Sequence, residues 1–201
     1  MSDQVVHVID DDEAMRDSLA FLLDTAGLRA TTYESAVAFL AQADALAPGC
    51  IITDVRMPEM NGLELVRKLK DRNIPHPVIV ITGHGDVPLA VDAMKAGVVD
   101  FLEKPFDDEV LLRAVRSALD ARERQDQKDA EKRRFEAMLE SLSPRETEVL
   151  RGVIAGKANK IIAYELGISP RTVEVYRANV MTKTGAAGLS ELVRMALLAG
   201  F

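Results

Sequence analysis

The sequence predicts an open α/β domain followed by a small all-α domain, and three observations carry that prediction. Short runs rich in Val and Ile recur through the first half of the chain. Amphipathic stretches of helical length separate them, and after Ser141 the strand pattern gives way to successive helices. Near-continuous apolar runs mark strands buried on both faces, and helical spacers supply the crossovers that a parallel sheet requires.

The strands are expected at VVHVID (5–10), CIITDV (50–55), PVIVIT (77–82) and DFLEK (100–104), with a weaker fifth, RATTYES, near 29–35. The helices between them read as Glu13 to Ala26, Ala36 to Ala43, Gly62 to Asp71, Asp86 to Ala96, and Asp107 to about Asp120. Gly27 and Gly97 stand where a helix closes through a left-handed residue. Five βα units result, over residues 1–120.

Residues 121–140 form a linker, ARERQDQKDAEKRRFEAMLE, which alternates bases and acids and contains no Gly or Pro. Opposite charges at helical spacing, such as Glu131 and Arg134, favour an exposed helix over a flexible tether. Phe135, Met138, Leu139 and Leu142 offer a packing face near its end. From 141 to 201 four short helices are expected: Pro144 to Ala155, Asn159 to Leu166, Pro170 to Thr184 and Leu189 to Ala199. Ser143-Pro144 and Ser169-Pro170 each set a capping hydroxyl before a proline at the first helical position.

Composition narrows the function. With 48% apolar residues, 4% aromatic residues and no Trp in 201 residues, aliphatic packing must build a core in each part. No run of about eighteen apolar residues exists to span a bilayer, and the start MSDQVVHVIDDDE lacks the pattern of a signal peptide, so a cytoplasmic location is expected. Cys50 is the only cysteine and lies in an apolar run, which excludes an intrachain disulfide and suggests a buried thiol. The net charge of -7 is segregated: eight bases against five acids leave +3 from Ser141 onward, and so -10 for residues 1–140. The two ends face different partners.

Asp10, Asp11 and Asp12 follow the first strand, Asp54 ends the third, Thr82 the fourth and Lys104 the fifth. A parallel sheet brings all these ends to one edge, where open α/β sheets bind ligands. Clustered carboxylates repel one another unless a cation compensates, and hard oxygen donors suit Mg²⁺. An Asp carboxylate can act as a nucleophile toward phosphorus, with Lys104 and the Thr82 hydroxyl as donors to the phosphoryl oxygens. For Asp12 alone a helix N-cap is the simpler reading.

These residues make the first part resemble the receiver family, through Asp10-Asp11, Asp54 in DVRMPEMNG, Thr82-Gly83 in VIVITGHGD and Lys104-Pro105 in DFLEKPF. The resemblance implies a flavodoxin-like five-stranded parallel sheet of order 2-1-3-4-5. It makes Asp54 the phosphoacceptor, gives Mg²⁺ to Asp10, Asp11, Asp54 and the Arg56 carbonyl, and sets Thr82 and Lys104 on the phosphoryl group. The aromatic switch position, which works with Thr82, falls on Phe101, which has no hydroxyl and must act by packing. The Lys104-Pro105 peptide is cis in similar domains. His7, His76 and His84 read as structural or surface residues, and the eight Met residues as core filler.

In NKIIAYELGISPRTVEVYRANVMTKTG a helix ends at Gly167 and a three-residue step reaches a second beginning at Pro170, the spacing of a helix-turn-helix. Ile161, Ile162, Leu166, Ile168, Val173 and Val180 are expected to face the core. Asn159, Lys160, Arg171, Thr172, Glu174, Val175, Arg177, Ala178 and Lys183 are the candidate DNA contacts, polar and small side chains for base edges flanked by cations for phosphates. LSPRETEVL, NKIIA, LGIS and RTVEVYRANVMTK resemble the LuxR-type (GerE) four-helix domain. Ile161 and Glu174 depart from it, standing where family members often carry Glu and Lys.

Receiver, helical linker and this domain, in that order, resemble the FixJ-type response regulators. The resemblance implies phosphorylation by a sensor histidine kinase, and dimerisation through the fourth helix and fifth strand at Val87, Val91, Lys95, Val99 and Asp100. It further implies activation of transcription by RNA polymerase at promoters of nitrogen-fixation or microaerobic genes. The chain is expected not to be an enzyme beyond its own phosphotransfer and dephosphorylation. A phosphohydrolase would usually carry a second acid two residues after its Asp nucleophile, and here Arg56 stands there. A helical domain that binds protein instead of DNA would lack salt-dependent duplex binding. No P-loop glycine pattern appears, so ATP-driven promoter melting is not expected.

Overall fold

The computed structural model describes residues 4–83 and 87–201, and the side chain of Asp44 lies outside that set. Five strands, β1 (Val5–Ile9), β2 (Arg29–Tyr33), β3 (Gly49–Asp54), β4 (Val78–Thr82) and β5 (Asp100–Glu103), pair parallel throughout in the order β2-β1-β3-β4-β5. The helices are α1 (Glu13–Thr25), α2 (Ala36–Leu40), α3 (Gly62–Asp71), α4 (Val87–Ala96), α5 (Asp108–Glu140), α6 (Pro144–Ile154), α7 (Asn159–Leu166), α8 (Pro170–Thr184) and α9 (Leu189–Leu198). The expected start of the fourth helix at Asp86, and His84, lie outside the described residues.

The central strands are buried end to end because both sheet faces are covered, and their alternation feeds two separate cores. Ile9, Ile51, Val78 and Val80 join Phe39, Leu63 and Leu65 on one face. Val6, Val8, Ile52, Ile79 and Ile81 join Leu23, Leu111 and Val115 on the other. β2 is an edge strand with only Tyr33 buried, which explains its faint sequence signal. Cys50 is fully buried, and burial pushes its thiol up to about 12.

Two expectations are corrected. The second helix does not run to Ala43: it ends at Leu40, and a 3₁₀ turn at Ala43–Ala45 follows, where Ala45 donates to the Gln42 carbonyl at 3.0 Å. Nor is there a separate linker helix, because α5 continues from Asp108–Glu140 with no Gly or Pro to stop it. Glu131 pairs with Arg194 at 3.1 Å and not with Arg134.

The chain divides into two compact units, Met1–Arg124 and Gln125–Phe201, and the division falls inside α5. In the second unit Phe135, Leu139 and Leu142 are buried with Leu150, Val180, Leu192 and Met195, while Val149, Ile162, Ala163 and Val173 form a second cluster. Arg194 also lies over the Phe135 ring at 5.9 Å. The end of α5 therefore belongs to the core of the helical unit. Phe135→Ala is expected to destabilise that unit by about 3–5 kcal/mol, as loss of a buried Phe does, with the α/β unit unaffected. Urea unfolding followed by hydrogen exchange in each unit checks this.

Candidate functional site

Parallel pairing sets Asp10 just after β1, Asp54 at the end of β3, Thr82 at the end of β4 and Lys104 just after β5. Sequence-distant groups meet there. Lys104 Nζ lies 3.1 Å from Asp10 Oδ2 and 2.9 Å from Asp54 Oδ1. The backbone N–H of Asp12 donates to Asp10 Oδ1 at 2.9 Å, and that of Arg56 to Asp54 Oδ2 at 2.6 Å. Every oxygen of the two carboxylates thus has a donor. Thr82 is buried, and its carbonyl accepts from the Lys104 amide at 2.7 Å, which ties the ends of β4 and β5 together. The Lys104-Pro105 peptide is cis.

Local sequence explains why the loops sit as they do. Asp12 caps α1, its Oδ1 accepting from Ala14 at 2.9 Å and Met15 at 3.4 Å. Asn61 and Glu64 form a capping box at the start of α3. A Cβ on Gly62 would lie 2.2 Å from the Asp54 carbonyl oxygen, so only glycine lets this loop pass so close behind Asp54. Two participants escaped the sequence reading: Gly62, and Arg16, whose Nη1 donates to the Asp10 carbonyl at 2.7 Å. The signal for Arg16 was its place one helical turn after Asp12.

Burial pushes the Asp10 carboxyl up, although the Asp12 N–H and the Lys104 ammonium oppose the shift. Burial also acts to lower Lys104, but its hydrogen bonds to Asp54 and Asp10 prevail and hold it above the usual lysine value. Desolvation is the largest influence on both partners, and only on Lys104 is it overcome. One ammonium is shared between two buried carboxylates, with Asp11 exposed beside them. The donors are all oxygen and the site keeps a negative balance, which fits a hard dication such as Mg²⁺. Among the described residues no three His, Cys, Asp or Glu side chains form a closed metal cage. Such an ion would need backbone or water oxygens as well.

Phe101 is half-buried and packs against the first of the two sheet cores, as do Leu89 and Ala96. Val87, Val91 and Val99 are 78%, 43% and 48% exposed, so they are surface and not core. Lys95 is exposed, and half-buried Asp100 accepts from the Phe101 N–H at 2.8 Å.

In the helical unit, α7 closes on Gly167 in the left-handed region (φ 66°), and Ser169 caps α8 by accepting from the Thr172 N–H at 3.1 Å. Arg171, Glu174, Val175 and Ala178 lie along one exposed face of α8, while Val173 and Val180 are buried opposite. Lys160 is exposed, and Asn159, Thr172 and Arg177 are half-buried. Arg177 Nη1 donates to Asn159 Oδ1 at 2.6 Å. Lys183 is exposed but its Nζ lies 2.7 Å from Glu146 Oε2. Ile162, Val173 and Val180 are core as expected, with Leu166 and Ile168 packed at its margin; Ile161 is not. At 51% exposed it sits one position round the helix from Ile162, toward solvent. His7 is buried, with its ring bonded to the Ala47 carbonyl at 3.2 Å and to the Tyr33 hydroxyl at 3.3 Å, and half-buried His76 bonds Gly49.

Residues 6–116 match the family model of the response regulator receiver domain, and residues 140–196 that of the bacterial regulatory proteins of the luxR family. The chain is 58% identical over 195 residues to the transcriptional regulatory protein FixJ of Azorhizobium caulinodans, covering 97% of this chain and 92% of that one. Full-length FixJ from B. japonicum is similar at 53% identity and a TM-score of 0.63, covering 100% and 98% of the two chains. The response regulator StyR is similar at 39% identity and a TM-score of 0.86, covering 96% and 98%. Among the described residues no helix is long and apolar enough to cross a membrane.

Glu146 is buried, accepts from the Ser143 N–H at 2.7 Å and meets Lys183. The Lys183 ammonium, followed by the Ser143 N–H, holds its carboxyl below the ordinary glutamate value. A carboxyl depressed by folding contributes stability above its unfolded value and loses it as pH falls through the folded one. The stability difference between wild type and Glu146→Gln is therefore expected to be full at neutral pH. It should shrink steadily as pH drops below the ordinary glutamate range, as urea titrations at a series of pH values would record.

Proposed function

Because the chain belongs to the FixJ-type two-component response regulators, with a receiver and a LuxR-type DNA-binding domain, we propose that phosphoryl transfer to Asp54 controls promoter binding through α8. The observation that carries this reading is the Lys104 bridge to Asp10 and Asp54 at the strand ends. Asp54 is the bridged carboxylate that ends the sheet's central strand, β3, between β1 and β4.

The Asp54 carboxylate attacks the phosphorus of a kinase phosphohistidine whose other ring nitrogen is protonated. The new P–O bond forms as the P–N bond breaks, and the ring leaves as neutral imidazole with that proton and the P–N electron pair. Lys104 follows the charge from carboxylate to phosphoryl oxygen, and the Thr82 hydroxyl donates to a second oxygen. Asp10, Asp11, Asp54 and the Arg56 carbonyl would hold Mg²⁺, which supplies positive charge against the phosphoryl oxygens. Thr82 and Phe101 transmit the change to α4 and β5, Phe101 packing against the same core as Leu89 and Ala96 of α4. Exposed Val87, Val91 and Val99, with Lys95 and Asp100, form the surface on which two phosphorylated copies meet. Two paired copies engage two half-sites, and RNA polymerase is recruited there. Residues 1–120, 121–140 and 141–201 act as receiver, linker and DNA-binding domain; FixJ-type relatives suggest nitrogen-fixation or microaerobic promoters. On this reading the protein acts in the cytoplasm and is not an enzyme beyond its own phosphotransfer and dephosphorylation.

Asp54→Asn is expected to abolish incorporation of phosphate from a small phosphodonor; undiminished labelling would refute the assignment. Phosphorylated wild type is expected to sediment as a dimer, and Val91→Asp to remain a monomer with normal labelling. Unchanged sedimentation of the wild type would exclude this mode of coupling.

A further inference from the structure

We propose that Arg16 is a positioning residue for the cation site, holding the turn after β1 so that Asp10 and Asp11 present their oxygens to Mg²⁺. This rests on the metal reading given above. The half-buried guanidinium reaches back from the first turn of α1 and donates to the Asp10 carbonyl at 2.7 Å. The same turn is held by the Asp12 N–H on Asp10 Oδ1, at 2.9 Å, and by Asp12 capping α1. The fourth tie is Lys104 on Asp10 Oδ2, at 3.1 Å.

The ties differ in what happens during the reaction. Lys104 is shared with Asp54, so its transfer to a phosphoryl group removes its hold on Asp10. The Asp12 N–H is a neutral donor from the same short turn and moves with it. Arg16 is the charged tie that is anchored on a helix and untouched by chemistry at Asp54. Two competing physical effects give its contribution opposite signs. A cation near the site repels a dication, so removing it should tighten Mg²⁺ binding on Coulombic grounds alone. A group that fixes a ligand's orientation has the reverse effect, and its removal commonly weakens metal affinity 10–100-fold.

Calorimetric titration of Mg²⁺ into the unphosphorylated full chain separates them. Arg16→Met is expected to weaken Mg²⁺ binding about 10-fold, and Arg16→Lys to weaken it less, since one ammonium can replace part of the donor fork. Arg72 supplies the control, because its Nη1 makes a similar bond to the Leu40 carbonyl at 3.1 Å away from the strand-end site. Arg72→Met should leave Mg²⁺ affinity unchanged. Affinity unchanged or tighter in Arg16→Met overturns the inference, as does an equal loss in Arg72→Met. If melting shows that Arg16→Met does not fold, Arg16→Lys decides: weaker binding supports the role and wild-type binding overturns it. A wild type that binds no Mg²⁺ would overturn the metal reading itself, and this inference with it.

Discussion

The receiver depends on one ammonium answering two carboxylates. Lys104 joins Asp10 and Asp54 across three different strand ends, and it is the charged donor that offsets the burial of both carboxyl groups. The pair is costly to bury, so its energetic value lies less in net stabilisation than in fixing which groups converge. The parallel sheet provides the geometry, because its strand order brings β1, β3 and β5 to a common edge with β4 between β3 and β5. The fold's architecture and the site's electrostatics are therefore a single constraint. A change that tilts one strand end also changes the charge balance at Asp54.

The sequence revealed most of this because the relevant physics is local. β1, β3 and β4 are visible as apolar runs since both of their faces are covered, and the expected helix starts at Gly62, Pro144 and Pro170 each follow an observed side-chain cap. β2 was faint because an edge strand has little to bury. The limits of α5 were misread for a different reason. Charge alternation marks where a helix is solvated, but without a Gly or Pro it does not mark where one helix ends and another begins. Ile161 was misplaced because α7 is short and its apolar residues outnumber the positions facing the core.

The site followed the same division. Asp10, Asp54, Thr82 and Lys104 were legible as strand-end residues, a matter of sequence position. Arg16 was not, because its bond is to a backbone carbonyl, and no side-chain pattern reports which carbonyl a guanidinium will reach. Gly62 was hidden for a related reason: its necessity comes from the closeness of the Asp54 backbone, which exists only after folding. In the helical unit, Asn159 and Arg177, both candidate DNA contacts, bond to each other, a pairing that no spacing in the sequence reports.

The ion pair between Lys183 and Glu146 changes how the helical unit's charge should be counted. A base that is already paired inside the protein has no free positive field to offer, and DNA can gain its service only by displacing the carboxylate. Lys157 with Glu165, Arg145 with Glu148 and Arg194 with Glu131 are also paired, but both partners are solvent-exposed and the carboxylate is more easily displaced. The three pairs within residues 141–201 are already cancelled in the surplus of +3, and only Arg194, paired with Glu131 outside that span, lowers it further, to +2. Lys160 and Arg171 stand exposed outside these pairs, and the number of counterions released on binding, and with it the steepness of the salt response, follows from such residues and not from the net charge.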